Sequence, residues 1–138
     1  MKKPSNQTTQ RAYRIAVLPG DGIGKEVTWA GVEVLRAVES RLASSRFELK
    51  EFSVGAGEYL SSGDPMPDAV FDEIKRHDAI LLGAMGLPGV RWPDGVEMTP
   101  QLDLRERLEL YAGMRPVYLY HLTTRRCAAV RLAQSTSS

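Results

Sequence analysis

The sequence predicts an α/β fold built on a largely parallel sheet. Three observations carry this. Short apolar runs suited to buried strands recur along the chain; stretches with apolar residues three or four apart lie between them; and the first and third runs each end in a glycine-rich loop. Right-handed crossovers of that order bury both faces of the strands. The 138 residues, 43% of them hydrophobic, suffice for one sizeable core.

Residues 1–12 are polar, without periodicity, and read as a disordered leader. The first strand is expected over Tyr13–Leu18, halting at Pro19-Gly20. From Ile23 the period changes: Ile23, Val27, Ala30, Val34, Val38 and Leu42 share one face of a helix ending near Ser44-Ser45. Phe47–Val54 alternates as a second strand, with a turn allowed by Gly55 and Gly57, and Ser61–Pro67 has loop chemistry. A short helix after Pro67 places Val70, Phe71 and Ile74 inward. Asp78–Gly83 reads as a third buried strand, followed by a Gly/Pro-rich loop to Pro100. Leu102, Leu104, Leu108 and Tyr111 suit one more helix, and Pro116–Tyr120 an edge strand that begins at a proline.

The net charge of +1 points to neither nucleic acid nor membrane. The charge is uneven. Lys2, Lys3 and Arg11 make the leader positive, and after Glu109 only arginines remain among charged residues. Cys127 is the single cysteine, which excludes an intrachain disulfide and fits a reducing, cytoplasmic setting. The leader lacks the apolar run of a signal peptide.

Chemistry in such sheets gathers at the carboxyl ends of the strands, here the loops at Pro19 and Gly83. Leu18–Glu26 could present backbone N–H groups and a helix start to an anion, or could be a tight turn that lets the helix pack. The dinucleotide pattern G-x-G-x-x-G fails at Lys25, and neither Glu48 nor Glu51 is clearly placed for a ribose. The loop Gly83–Gly95 is long for a compact domain, hence either a flexible cofactor-facing loop or a disordered surface one. Arg105, within an amphipathic helix, and Arg115, just beyond it, could both face one pocket and grip a dicarboxylate in bidentate fashion. The alternative is a solvated helix face, with Glu109 four residues after Arg105. His77, His121 and Cys127 carry no catalytic motif.

Three ordered segments, YRIAVLPGDGIGKE from Tyr13, Ala79–Gly86, and Leu104-Arg105 followed by LYAGMRP from Leu110, resemble the isopropylmalate, isocitrate and tartrate dehydrogenase family of β-decarboxylating dehydrogenases. The resemblance covers about residues 13–120 and implies part of the family's three-layer fold, incomplete at the C-terminus. It implies that Arg105 and Arg115 hold substrate carboxylates, and that Gly86, Leu87, Glu97 and Thr99 lie on the nicotinamide side of the cofactor site. The implied reaction is NAD-dependent oxidation and decarboxylation of a 2-hydroxy dicarboxylic acid, aided by Mg2+ or Mn2+, in a homodimer.

Two departures bear on the substrate. Isopropylmalate enzymes carry paired leucines where this chain has Gln101-Leu102, which makes part of an apolar wall polar. Asp103 would repel an additional carboxylate, which lowers isocitrate relative to a 3-isopropylmalate-like or tartrate-like substituted malate. The family continues well beyond this length, with a tyrosine and lysine acid/base pair, metal-binding aspartates and the adenosine-binding loop. Residues 121–138 read as a tail without family likeness, of the kind a shifted reading frame produces. A truncated, inactive chain without catalytic or metal residues is expected, the alternative being a non-enzymatic interaction module or hetero-oligomer partner with a basic tail.

Overall fold

The computed structural model describes residues 11–42 and 44–118. Three strands form one parallel sheet in the order β2-β1-β3: β1 (Arg11–Gly20), β2 (Ser45–Glu51) and β3 (Ala79–Ala84). Four helices accompany them, α1 (Ile23–Arg41), α2 (Ala56–Ser62), α3 (Asp68–Ile74) and α4 (Pro100–Arg107). β1 is central, with Ile15 opposite Leu49 on one side and Ala79 on the other, so its unbroken apolar run is buried on both faces.

Side-chain alternation along β1 divides the interior into two layers. Ala16 and Leu18 join the core with Phe52, Val54, Met66, Phe71, Ile74 and Leu104. Val17 instead lines a cleft with Trp29 and Val32 of α1 and Leu49 of β2. With α1 on one face and α3 on the other, the sheet is the middle of three layers.

The three buried strands expected are present with shifted ends. β1 starts ahead of Tyr13 and includes Pro19-Gly20. β2 stops at Glu51 rather than Val54; the Phe52 amide makes the last hydrogen bond to β1, at Val17 O, and Phe52 and Val54 still reach the core.

The stripe Ile23, Val27, Val34, Val38 and Leu42 that marks α1 in the sequence is not the side that packs on the sheet, for each of these is at least 41% exposed. The sheet-facing side is Gly24, Thr28 and Gly31.

Three expectations need correction. The turn expected after Gly55 is instead α2, whose first amides, Ala56 and Gly57, donate to the Asp21 carboxylate at 2.8 Å. That cap comes from 35 residues upstream, so no local signal announces it. The fourth helix ends before Tyr111, because Glu109 takes φ 54 and Leu110 N donates back to Arg105 O; Leu104 is buried while Leu102 and Tyr111 are exposed. Finally, residues 116–118 form no strand. Val117 and Tyr118 lie 89% and 74% exposed, outside the sheet of β1, β2 and β3. Tyr120, like the leader to residue 10 and the tail, lies outside the described residues.

Candidate active site

The two glycine-rich loops meet at the carboxyl ends of β1 and β3, and they meet backbone to backbone. Asp21 N donates to Ala84 O at 2.8 Å, and a Cβ on Gly24 would stand 2.3 Å from both Ala84 O and Pro19 O. These glycines therefore serve close packing of α1 on the strands. The α1 start is also a poor anion site. Gly24 N already donates to Asp21 O, and the buried Asp21 carboxylate would repel a phosphate. Of the two readings of this turn, the tight packing turn is the one found. Glu51 does close β2, lining with Asp21, Lys25 and Glu58 a cleft of about 250 Å³ whose carboxylates likewise oppose a phosphate.

Asp21 is the residue that the sequence reading did not single out. Its carboxylate, 6% exposed, accepts Ala56 N and Gly57 N at the start of α2 and Gly86 N at the start of the second loop. One helix N-terminus and a loop thus converge on one negative charge, a favourable place for it.

The second loop folds back on itself as a short hairpin. Arg91 and Glu97 form an antiparallel bridge, Trp92 N donates to Val96 O at 2.9 Å, and Gly95 N closes the turn onto Trp92 O. Trp92 stacks edge-on against Tyr59 of α2 with ring centroids 5.3 Å apart. Met98, 2% exposed, anchors the return to α4.

This hairpin orders the residues assigned to the cofactor. Gly86, at φ 110, is fixed by Asp21. Leu87 is half-buried, and its carbonyl accepts Val90 N. Glu97 is exposed beyond its backbone bridge, and Thr99 is the N-cap of α4 without a capping bond from its side chain.

Arg105 and Arg115 are both exposed and have no ion pair among the described residues. After α4 the chain doubles back, so that a Cβ on Gly113 would lie 3.7 Å from Arg105 Nη2. The segment carrying Arg115 therefore runs beside the first guanidinium. Arg107 is engaged otherwise, donating to Asp68 Oδ1 at 2.6 Å with its guanidinium over the Phe71 ring.

Among the described residues no three of His, Cys, Asp or Glu gather into a metal site. The described residues thus offer no ligand set for Mg2+ or Mn2+. No described helix is long and apolar enough to cross a membrane. The basic tail behind the interaction-module alternative lies outside the described residues.

A sequence profile of the isocitrate/isopropylmalate dehydrogenase family matches residues 14–134. The chain belongs to this family. The match runs on past Tyr120, where likeness of motifs alone had placed its end. The chain is 44% identical over 121 residues to a 3-isopropylmalate dehydrogenase of Thermobifida fusca, covering 87% of this chain and 33% of that protein. It is 44% identical over 117 residues to another from Symbiobacterium thermophilum, covering 80% and 30%. The apo crystal structure of a β-decarboxylating dehydrogenase from Thermococcus kodakarensis superposes with a TM-score of 0.56 at 41% identity, over 72% of this chain and 27% of that one. The parallel three-stranded sheet is thus a portion of the dehydrogenase fold, and the chain spans about a third of the length of the curated relatives it matches.

Proposed function

We propose that this chain supplies the carboxylate clamp and the nicotinamide-side loop of an NAD-dependent dehydrogenase acting on a substituted malate in the cytoplasm. The carrying observation is the return of the chain after α4, which lays the Arg115 segment against Arg105 and leaves both guanidinium groups unpaired. Unpaired arginines in the same neighbourhood suit a small diacid, since each can grip one carboxylate in its own plane. NAD, when bound, accepts the hydride from the hydroxyl-bearing carbon. The role of this chain is positional: Arg105 and Arg115 orient the acid, while Glu97 and Thr99 address the nicotinamide amide. Gln101 in place of an apolar residue favours a tartrate-like over a purely alkyl side group, and Asp103 disfavours a third carboxylate.

On this reading the chain by itself binds diacid but does not turn it over, because no metal-holding cluster gathers among its described residues. Calorimetric titration with tartrate and with 3-isopropylmalate tests it. Millimolar binding is expected, weakened at least about tenfold by either Arg105→Ala or Arg115→Ala and unchanged by Arg91→Ala. Binding indifferent to both clamp substitutions, or NAD reduction by the purified chain at an ordinary enzymatic rate, overturns it.

A further inference from the structure

Among the described residues, methionine sulfur meets two kinds of surroundings. Met66 and Met98 are 5% and 2% exposed, and Met85 packs against the core. Met114 is 91% exposed. Its place in the chain is between the two arginines of the proposed clamp. It follows Gly113, where a Cβ would lie 3.7 Å from Arg105 Nη2, and it directly precedes Arg115. A thioether in water is open to two-electron oxidation by a peroxide. The sulfur lone pair takes one peroxide oxygen, the O–O bond breaks, and the second oxygen leaves as water. An apolar side chain thereby gains a polar S=O acceptor. Burial withholds the sulfurs of Met66 and Met98 from this reaction, so the fold directs it to Met114. There the new acceptor stands beside two guanidinium groups that have no ion pair, and hydrogen bonds from a charged donor are the strong ones. The unoxidised thioether is only a weak acceptor and offers a carboxylate no such competition.

We propose that Met114 is a peroxide-sensitive modification site, whose sulfoxide occupies the guanidinium groups of Arg105 and Arg115 and so lowers the affinity of the clamp for a diacid. The effect on diacid binding rests on the clamp reading above; the oxidation and the capture of the arginines do not. The modification is reversible by thiol chemistry. Two thiols return two electrons to sulfur, form a disulfide and release the oxygen as water, which is the reaction class of the methionine sulfoxide reductases.

Dilute hydrogen peroxide applied to the full chain tests this, in a Cys127→Ser background that removes the competing thiol. Peptide mass spectrometry should show Met114 oxidised at least about tenfold faster than Met66 and Met98 in the folded chain, and all three at similar rates in urea. The Nε–H magnetic resonance signals of Arg105 and Arg115 should shift on oxidation with no acid present, and stay in place in peroxide-treated Met114→Leu. Calorimetric affinity for tartrate should fall at least about threefold after oxidation, hold in treated Met114→Leu, and return after methionine sulfoxide reductase with a thiol reductant. Met66 or Met98 oxidised as fast as Met114 in the folded chain, arginine signals unmoved by oxidation, or a tartrate affinity that falls equally in treated Met114→Leu overturns the proposal. A chain that binds no tartrate before treatment overturns the clamp reading, while the oxidation rates and the arginine signals still decide this one.

Discussion

The Asp21 carboxylate accepts the Gly86 amide at 2.8 Å, joining two loops that lie 65 residues apart in the chain. The same side chain holds Ala56 N and Gly57 N, so one buried charge fixes the start of α2 and the start of the Gly/Pro-rich loop together. Hydrogen bonds to a charged acceptor contribute about 1.5–3 kcal/mol each, and three amides would be orphaned at once. Asp21→Ala is expected to cost about 3–5 kcal/mol in urea denaturation. Amide exchange at Ala56, Gly57 and Gly86 should quicken in Asp21→Asn, where an NH2 group replaces one accepting oxygen. Unchanged exchange at Gly86 would show that the loop is held by something else.

Close approach at the sheet end yields a second expectation. A methyl group at Gly24 would press on two backbone oxygens at 2.3 Å that cannot move without shifting β1 or β3. Gly24→Ala should therefore cost about 3 kcal/mol or more. Gly63 also needs its glycine, for φ 85 at the end of α2, yet a Cβ there meets nothing within 4 Å. Gly63→Ala should cost only about 1 kcal/mol. Equal losses in thermal melts of the two variants would contradict this ordering.

What the sequence disclosed follows from the range of its signals. The strand at Ile15–Leu18 and the helix face of Val70, Phe71 and Ile74 were legible because burial is written into consecutive or periodic apolar residues. The α2 helix was not, since its cap is a side chain distant in sequence. Apolar spacing along α1 revealed a helix but not which side meets the sheet, because glycine and threonine do the packing there. Composition gave no hint that Trp92 and Tyr59 would pin the Gly/Pro-rich loop. Arg105 and Arg115 stood out as residues, while their neighbourhood depends on a turn at Glu109 that no glycine announces.

Two glutamates predict how stability responds to acid. Glu39 accepts Phe47 N at 2.6 Å and pairs with Arg36, tying the end of α1 to β2; these contacts hold its pKa below the ordinary value of 4.5. Glu73 is lowered likewise by the Lys50 ammonium, which ties α3 to β2. A carboxylate with a depressed folded-state pKa contributes stability that is complete above its unfolded value and disappears as pH falls through the folded one. The melting temperature should thus be level above about pH 5 and decline below pH 4.5. Glu39→Gln and Glu73→Gln should each start lower at neutral pH and decline less steeply. A decline of undiminished slope in the double variant would assign the acid sensitivity to other groups.

Glu109 sits at φ 54, where L-residues other than glycine are strained, and it does so as the reversal that ends α4. Leu110 N reaches Arg105 O at 3.0 Å and Glu109 N reaches Glu106 O at 2.9 Å, the paired bonds of a Schellman cap. Glycine would remove about 1–2 kcal/mol of strain and add about 0.5–1 kcal/mol of unfolded-state entropy. Glu109→Gly should therefore stabilise the chain by up to about 1 kcal/mol and leave diacid binding intact. Proline cannot adopt a positive φ, so Glu109→Pro should undo the reversal that lays Gly113 beside Arg105, and with it the clamp. Diacid affinity kept in the proline variant would mean that Arg105 and Arg115 do not act through this turn.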